Sequence, residues 1–532
     1  MRYQRPVSLF LVLMLVFFMQ ACSGKSSSES AGPTGLMAVS LVDAPGDFDS
    51  VWITVKDIWI HSSDAADPRP GVAGWHKYPL AAPRTIDLMT LTNGNAQSIW
   101  DSISLPIGTY QQIRLVLADT DGALADSATA AGLKYNNEVV TGGAEYPLHI
   151  PDARHGIRLA GTFTITEGAT LKLAIDFDAG EDIVEFRKGT EYILKPRLEY
   201  FDLDHVGAIV GKLATSGTFT TAPRFVIKAE RLTTNGTSTF HFVRRWTVPK
   251  PDGSFILYPV STLVTTAWDV VIRGLEHQTM IIKGVPITSG ATPASGATDL
   301  GTITMTAAAR PDFTVDGTIT SPTGAWVNFY QKLPGADEYP YEIRFRHFNP
   351  LLGEFRGFKL SSDPLQVATY TTGILSFTTA TPIQGAGGYH AVAGAILYRP
   401  SVSMPVTSAT TTVAFSSDLV VNAPWTGNSV SGSTTMQNPT MNNKMDQGVL
   451  FAAHGGMIVH AIQVDRQMAT GGAYTITNLP GGSPGNLLPS AFYGIEAVGW
   501  STTNPLMKAV AVPQVVDLRN GNDTADLNML PF

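Results

Sequence analysis

From Gly35 onward, the chain alternates short apolar and polar runs, which Gly, Pro, Asn and Asp residues separate. Alternation with a period of two, in residues that are often β-branched or aromatic, is typical of β-strands with one buried face. The clearest examples are residues 51–61, 110–119, 170–178 and 191–202. Helical periodicity is nearly absent, and residues 95–103 form the best short helix candidate. The pattern predicts an all-β protein with several β-sandwich domains in series.

The first 34 residues have a different pattern. Arg2 and Arg5 precede an apolar run over residues 7–18, which is too short for a membrane-spanning helix and has the length of a signal-peptide core. Ala21 and Cys22 follow, and after them comes a polar Ser/Gly-rich stretch that is typical of a flexible tether. The sequence therefore predicts a signal peptide at residues 1–21 and a tether at residues 22–34.

The order of these features resembles a bacterial lipoprotein signal. The resemblance implies cleavage between Ala21 and Cys22, lipidation of Cys22, and anchoring of the mature chain to a membrane through the lipid. Ser23 follows the cysteine where an aspartate would be the retention signal, which implies the outer membrane, with the protein facing the periplasm or the cell exterior. The alternative is an ordinary signal peptide followed by an inert cysteine.

Beyond the tether, the pattern predicts four modules. Similar openings recur at Val206, Val315 and Val430, and each is followed by a Gly-aromatic strand. The expected boundaries are 35–204 for module 1, 205–308 for module 2, 309–425 for a divergent module 3 with an insertion, and 426–532 for module 4. We expect the modules to form a stalk or a string of binding surfaces.

Two resemblances follow from these segments. Module 1, with SLVDAPGDFDSVWITVKDIWIH, LPIGTYQQIRLVL and YILKPRLEY in order, resembles the bacterial lipoprotein family of domain of unknown function 4382. That family implies a β-rich extracytoplasmic domain and supplies no catalytic residues. Modules 2 and 4, and less closely module 3, are similar to the prealbumin-like sandwich that serves as a regulatory domain in carboxypeptidases.

Composition narrows the function classes. Only 15% of the residues are charged, and the formal net charge is -8, so nucleic acid is a poor partner. One cysteine excludes a disulfide scaffold, a cysteine-rich zinc site and an iron–sulfur cluster. The sequence at residues 481–485 matches the GxSxG pattern, but Pro484 has no N–H for an oxyanion hole.

Carboxylates cluster in one turn. Asp119 and Asp121 precede Gly122, and Asp126 follows. Ca²⁺ prefers six to eight oxygen ligands, and this turn supplies about three. The sequence therefore leaves two interpretations open, ordinary Asp-rich turn chemistry or a rigidifying calcium ion. No other cofactor is expected.

Aromatic residues cluster between residues 324 and 348. Trp326, Tyr339, Tyr341 and Arg344 have the side chains that stack on sugar rings and bind their hydroxyls, although sandwich cores also need large side chains. We therefore expect a lipid-anchored envelope or surface protein, not an enzyme, that serves adhesion, ligand binding or envelope assembly. A glycan or a surface protein is the expected partner. A cell-envelope enzyme or an accessory carbohydrate-binding component is the alternative.

Overall fold

The structure of the protein is a computed structural model. It describes residues 32–532 except 45, 188, 197, 216–224, 236–237, 337, 416–418, 437–445, 465–471, 487, 489, 503–507 and 532. The described residues are almost entirely strands and turns, which confirms the predicted all-β fold.

Module 1 forms two sheets around one apolar core. Its strands are β1 (Thr34–Ala44), β2 (Ser50–His61), β3 (His76–Asp87), β4 (Gln97–Pro106), β5 (Gly108–Leu117), β6 (Glu138–Thr141), β7 (Ala144–His149), β8 (Ile157–Ile165), β9 (Thr170–Asp178), β10 (Ile183–Arg187), β11 (Glu191–Leu194) and β12 (Glu199–Asp202). One sheet has the order β12-β9-β1-β4, and the other has the order β10-β11-β7-β6-β2-β5-β8 with β3 beside β2.

Short helical turns connect some of these strands. They are two helices, α1 (Asp126–Ala130) and α2 (Ala179–Asp182), and the 3-10 turns Leu88–Leu91, Ala153–His155 and Leu203–His205. The helix predicted at residues 95–103 is wrong, because this segment lies in β4. Bulges in the β1–β4 pairing bury Ile99, Trp100 and Ile103 together, which imitates the three- and four-residue spacing of a helix.

Modules 2 and 3 share a sheet. Module 2 contains β13 (Val206–Ala214), β14 (Phe225–Asn235), β15 (Ser238–Thr247), β16 (Ser254–Ser261), β17 (Ala267–Gly274), β18 (Met280–Pro286) and β19 (Thr298–Thr304). Module 3 contains β20 (Phe313–Ile319), β21 (Trp326–Gln331), β22 (Tyr341–His347), β23 (Glu354–Leu360), β24 (Leu365–Thr369), β25 (Thr378–Ala380), β26 (Tyr389–Gly394), β27 (Met404–Val406) and β28 (Thr412–Phe415). A ten-stranded sheet has the order β25-β24-β18-β17-β14-β15-β22-β21-β26-β27.

Two parallel pairings carry this sheet across the predicted boundary at 308/309. Strand β15 pairs with β22 at His241 and Tyr341, and β18 pairs with β24 from Met280 to Lys283. Each module also contributes a three-stranded sheet, β16-β13-β19 in module 2 and β23-β20-β28 in module 3. The module boundaries stay a prediction, but backbone hydrogen bonding is continuous between modules 2 and 3.

Module 4 forms a nine-stranded sheet. Its strands are β29 (Thr426–Met436), β30 (Gln447–His454), β31 (Met457–Val464), β32 (Gly472–Gly481), β33 (Phe492–Trp500), β34 (Lys508–Ala511), β35 (Gln514–Asp517), β36 (Asp523–Thr524) and β37 (Leu527–Pro531). The main order is β31-β30-β33-β34-β37-β29-β32.

The apolar cores cross the module boundaries. One large cluster combines residues of module 3, such as Phe329, with residues of module 4, such as Ile495, and with Val271 of module 2. A smaller cluster packs Phe186 of module 1 against Phe451 of module 4. Sheets bury their apolar faces against one another, so the modules pack together and the expected stalk is wrong.

In the described part of the chain, no helix has the length and apolar character needed to cross a bilayer.

Candidate functional site

The predicted lipid-attachment site lies outside the described residues. Ala21 and Cys22 both belong to the first 31 residues, so cleavage and lipidation stay predictions.

The three predicted calcium ligands do not converge. Asp121 accepts a hydrogen bond from Lys508 Nζ at 3.0 Å, and Asp119 Oδ2 lies 3.5 Å from Arg154 Nε. Asp126 is exposed at the start of α1. Among the described residues, no group of three or more His, Cys, Asp or Glu side chains is arranged to hold a metal ion. Two of the three carboxylates are instead beside cationic side chains, and calcium binding stays a prediction.

Asn136 organises the loop that carries these carboxylates. Its Nδ2 donates to Asp119 O at 2.9 Å and to Ala123 O at 3.0 Å, while its Oδ1 accepts from Ala125 N at 2.9 Å. The side chain is almost completely buried. One amide thus satisfies three backbone groups of the turn, which fixes the conformation of the loop.

This loop forms one wall of a cleft between modules 1 and 4, which we call the terminal cleft. Its volume is about 260 Å³, and it is lined by Asp119, Thr120, Asp121, Gly122, Ala123, His149, Ile150, Ala153, Arg154, Glu496, Val510, Ala511, Val512, Pro513 and Leu530. The lining mixes charged groups with apolar side chains, as small-molecule sites do.

An imidazole and a carboxylate face each other in the terminal cleft. His149 Nε2 at the end of β7 lies 3.2 Å from Glu496 Oε1 on β33, and both side chains are buried. Burial lowers the pKa of His149, but the charge of Glu496 and its hydrogen bond with the imidazole together outweigh burial, and the net shift is upward. The backbone N–H of Asp152 donates to Glu496 Oε2 at 3.2 Å, which positions the carboxylate.

Lys508 forms ion pairs that connect the same two modules. It binds Asp121 and also Glu191, which lies on β11, and Arg187 Nη1 binds Glu191 at 3.2 Å. Burial lowers the pKa of Lys508, but the two carboxylates outweigh burial and the pKa is raised. The ammonium ion is therefore stabilised as a link between module 1 and module 4.

A second cleft, the junction cleft, lies where module 2 meets module 3. Its volume is about 300 Å³, and its lining residues are Glu276, Ala308, Ala309, Arg310, Pro311, Asp312 and Lys359. Arg310 and Lys359 are exposed. The backbone of the connecting segment is held by Asp363, whose Oδ2 accepts from Ala309 N at 2.5 Å.

Arg344, a predicted ligand-binding residue, is not among the residues that line this cleft. Its guanidinium is 4.1 Å from the Phe358 ring centroid, and its Nη1 donates to Lys359 O at 2.7 Å. Burial lowers the pKa of Arg344, and the neighbouring charge of Arg273 lowers it further. The charge of Arg273 on β17 of module 2 therefore acts on Arg344 on β22 of module 3.

The predicted aromatic face does not form as one surface. Tyr341 is fully buried, stacks on His241 at 3.8 Å and donates to Asp269 Oδ2 at 2.7 Å, so it is a core residue. Trp326 is half-buried at the opposite end of the β21–β22 pair. Tyr339 alone of the four is exposed, at 37%. Core packing therefore explains Tyr341, and Arg344 packs on the ring of Phe358 instead.

Sequence reasoning missed the residues that pair across modules. His149, Glu191, Glu496 and Lys508 are isolated in the sequence, and no local motif marks them. In the sequence, the feature that could have marked these residues is a titratable side chain in a mostly apolar strand.

Module 1 matches the model of a protein family. Residues 34–196 match the family described as "Domain of unknown function (DUF4382)", which confirms the resemblance seen in the sequence. No curated protein matches the chain.

Several solved structures are similar to the chain at low identity. A leucine-rich repeat protein from Bacteroides thetaiotaomicron VPI-5482 aligns at 13% identity over 52% of this chain and 27% of its own, with a TM-score of 0.13. Two B repeat units of the collagen binding protein of Staphylococcus aureus align at 8% identity over 94% of this chain and 98% of theirs, with a TM-score of 0.13. The full-length major pilin SpaD from Corynebacterium diphtheriae aligns at 8% identity over 62% and 99%, with a TM-score of 0.13. The chain spans 27% of the length of the first of these structures.

Proposed function

We propose that this protein is a lipid-anchored envelope or surface protein that binds a ligand or partner without transforming it. The N-terminal sequence supports the anchor, because an apolar run, Ala21-Cys22 and a polar tether occur in that order. Acylation of Cys22 would hold the folded modules at the outer membrane, facing the periplasm or the exterior.

The ion pairs between modules are the observation that supports a non-catalytic role. Buried or half-buried ion pairs join different modules: Lys508 with Asp121 and Glu191, Arg245 with Asp176, and Lys228 with Glu342. An enzyme site needs titratable groups that converge on an open pocket. Here the charged groups of these pairs form contacts that hold modules together, which suits a rigid binding platform.

The anchor is tested by cell fractionation with the full chain. Replacing Cys22→Ala is expected to move the protein from the membrane fraction to the soluble fraction, and to abolish incorporation of a labelled fatty acid. Cys22→Ser is a second variant without the thiol, and it is expected to behave in the same way as Cys22→Ala. Unchanged membrane partitioning of either variant would exclude the lipid anchor.

A second candidate function is hydrolysis in the terminal cleft. The His149–Glu496 pair favours it, because an imidazole oriented by a carboxylate is a common general base. Turnover of an ester, peptide or glycoside by the purified chain, with loss of turnover in His149→Ala, would establish this function in place of the first. Absence of turnover across such a panel supports the non-catalytic role.

A further inference from the structure

Three buried polar side chains from modules 2 and 3 meet at one carboxyl group. Lys228 is on β14 of module 2, whereas Asn328 on β21 and Glu342 on β22 belong to module 3. Lys228 Nζ lies 3.4 Å from Glu342 Oε1, and Asn328 Nδ2 donates to Glu342 Oε2 at 2.6 Å. All three residues are almost completely buried. The two oxygens of Glu342 therefore hold an amine and a carboxamide at the same place.

The surroundings of this cluster disfavour charge. Tyr341 and Ile343, on either side of Glu342, are fully buried in the largest apolar cluster. Glu230 Oε2 accepts from Glu342 N at 3.2 Å, but Glu230 Oε1 is buried without a hydrogen-bond partner. Burial raises the pKa of Glu230 well above its ordinary value, although the charge of Lys228 opposes this shift. Desolvation of this kind penalises buried ion pairs, and transfer of one proton from an ammonium to its carboxylate makes both groups neutral.

We propose that Lys228 and Asn328 form an intramolecular amide cross-link between modules 2 and 3, with Glu342 as the acid and base of the reaction. The neutral amine of Lys228 is the nucleophile, and the side-chain carbonyl carbon of Asn328 is the group that it attacks. The carboxyl group of Glu342 already contacts both nitrogen atoms that exchange places on this carbon.

The reaction is balanced without any co-reactant. A bond forms between Lys228 Nζ and Asn328 Cγ, and the bond between Asn328 Cγ and Nδ2 breaks. Glu342 takes a proton from Nζ at Oε1 and gives a proton to the departing Nδ2 from Oε2, as a general base and general acid do. Ammonia leaves, and Glu342 returns to its starting state. Neither an oxidant nor a reductant is consumed, because the carbonyl carbon keeps its oxidation state.

Folding supplies the proximity that this reaction needs. Lys228 and Asn328 are far apart in the sequence and meet at Glu342 only in the folded chain. Groups held in contact in this way react as if they were present at a very high local concentration. The link joins β14 to β21 across β15 and β22, whose described pairing is the single pair of His241 and Tyr341. The cross-link therefore fastens the shared sheet where its backbone pairing is shortest.

Peptide mapping of the full chain, purified in detergent and denatured before digestion, tests the cross-link. Trypsin does not cleave after an acylated lysine, and it does not cleave the bond before Pro311. The expected product is a branched peptide that joins residues 225–231 to residues 284–332. Its mass is that of the two linear peptides minus one molecule of ammonia, and fragmentation places the branch at Lys228 and Asn328.

Variants test the role of each group. Lys228→Arg keeps a cation beside Glu342 but has no amine nucleophile, and Glu342→Gln removes the acid and base. Both are expected to lose the branched peptide completely. Both should also unfold at a lower temperature, because the cross-link closes a loop of about 100 residues. Lys508→Arg is the matched control, since Lys508 is also a buried lysine between modules but binds the carboxylates of Asp121 and Glu191. This control is expected to keep the branched peptide.

The map of the unaltered chain decides the proposal even where a variant does not fold. Linear peptides that end at Lys228, with Asn328 unmodified or deamidated, would overturn it. A branch from Lys228 to residues 333–344 with loss of water would also overturn it, because Glu342 would then be the acceptor and not the acid and base. Retention of the branch in Glu342→Gln would contradict the role of Glu342, and its loss in Lys508→Arg would show that the variants act through general damage to the fold.

Discussion

His454 shows how burial sets the charge of a single side chain. It ends β30, its Nδ1 lies 3.1 Å from Phe492 O, and the rings of Trp425 and Tyr493 pack around it. Burial, followed by the charge of Arg158, lowers its pKa to about 3. The imidazole is therefore neutral in the folded protein throughout the range in which an unfolded histidine accepts a proton.

The neutral His454 makes the stability of the folded protein depend on pH. Between pH 6.5 and about pH 3, the unfolded chain binds a proton at His454 and the folded chain does not, so stability is lost as the pH falls. We expect this residue to cost about 2 kcal/mol between pH 6.5 and pH 5. In His454→Asn, which keeps a donor toward Phe492 O, the free energy of unfolding measured in urea should depend less on pH over that range. An unchanged slope would contradict a lowered pKa.

Tyr341 provides a second test at the level of single residues. Burial alone raises the pKa of Asp269, but hydrogen bonds from His241, Gly284 N and Tyr341 outweigh it and lower the pKa. Tyr341→Phe removes one donor to a buried carboxylate and is expected to lower the free energy of unfolding by about 1.5–3 kcal/mol. Tyr339→Phe, an exposed control, should change it by less than about 0.5 kcal/mol. Urea titration compares the two, and equal effects would show that Tyr341 is not a core residue.

The strands are the part of the structure that the sequence predicted best. Alternation in residues 51–61 and 170–178 predicted β2 and β9 nearly to their ends, because one face of each strand is buried and the other is not. The same rule failed at β4, where bulges shift Ile99 and Trp100 out of register. The candidate sites were predicted less well, since Asp119 and Asp121 were found by local spacing, whereas His149, Glu496 and Lys508 gain partners only through the fold.

Strand β33 is one of the elements of module 4 that contact module 1. A Cβ added at Gly494 would lie 2.4 Å from Asp152 Cγ of module 1, so only glycine fits there. Gly494→Ala is expected to lower the free energy of unfolding by about 1–3 kcal/mol and to increase protease cleavage between the modules. In Gly499→Ala, on the same strand, the nearest atom to the added Cβ is the flexible Met529 Cε at 3.3 Å, so this change should be close to neutral. Similar effects at both positions would show that the contact with Asp152 is unimportant.

For the whole molecule, the main question is how independent the modules are. Repeats in the sequence predicted separate units, but contacts between units leave no local pattern, because each partner residue is remote in the chain. The buried members of the module 1 core all lie between Met37 and Leu194. The largest cluster, by contrast, mixes residues of modules 3 and 4, including Phe329 and Ile495.

Module 1 and module 4 should therefore respond differently to truncation. A fragment of residues 33–204 keeps its own core and is expected to fold alone with a cooperative thermal transition. A chain that ends at residue 425 loses about half of a shared core and also exposes Phe186, which packs against Phe451. Exposed apolar surface of this size favours aggregation, so we expect this chain to unfold at a lower temperature and to self-associate. Calorimetry and light scattering measure both properties, and an unchanged unfolding midpoint in a monomeric truncated chain would show that the modules are independent.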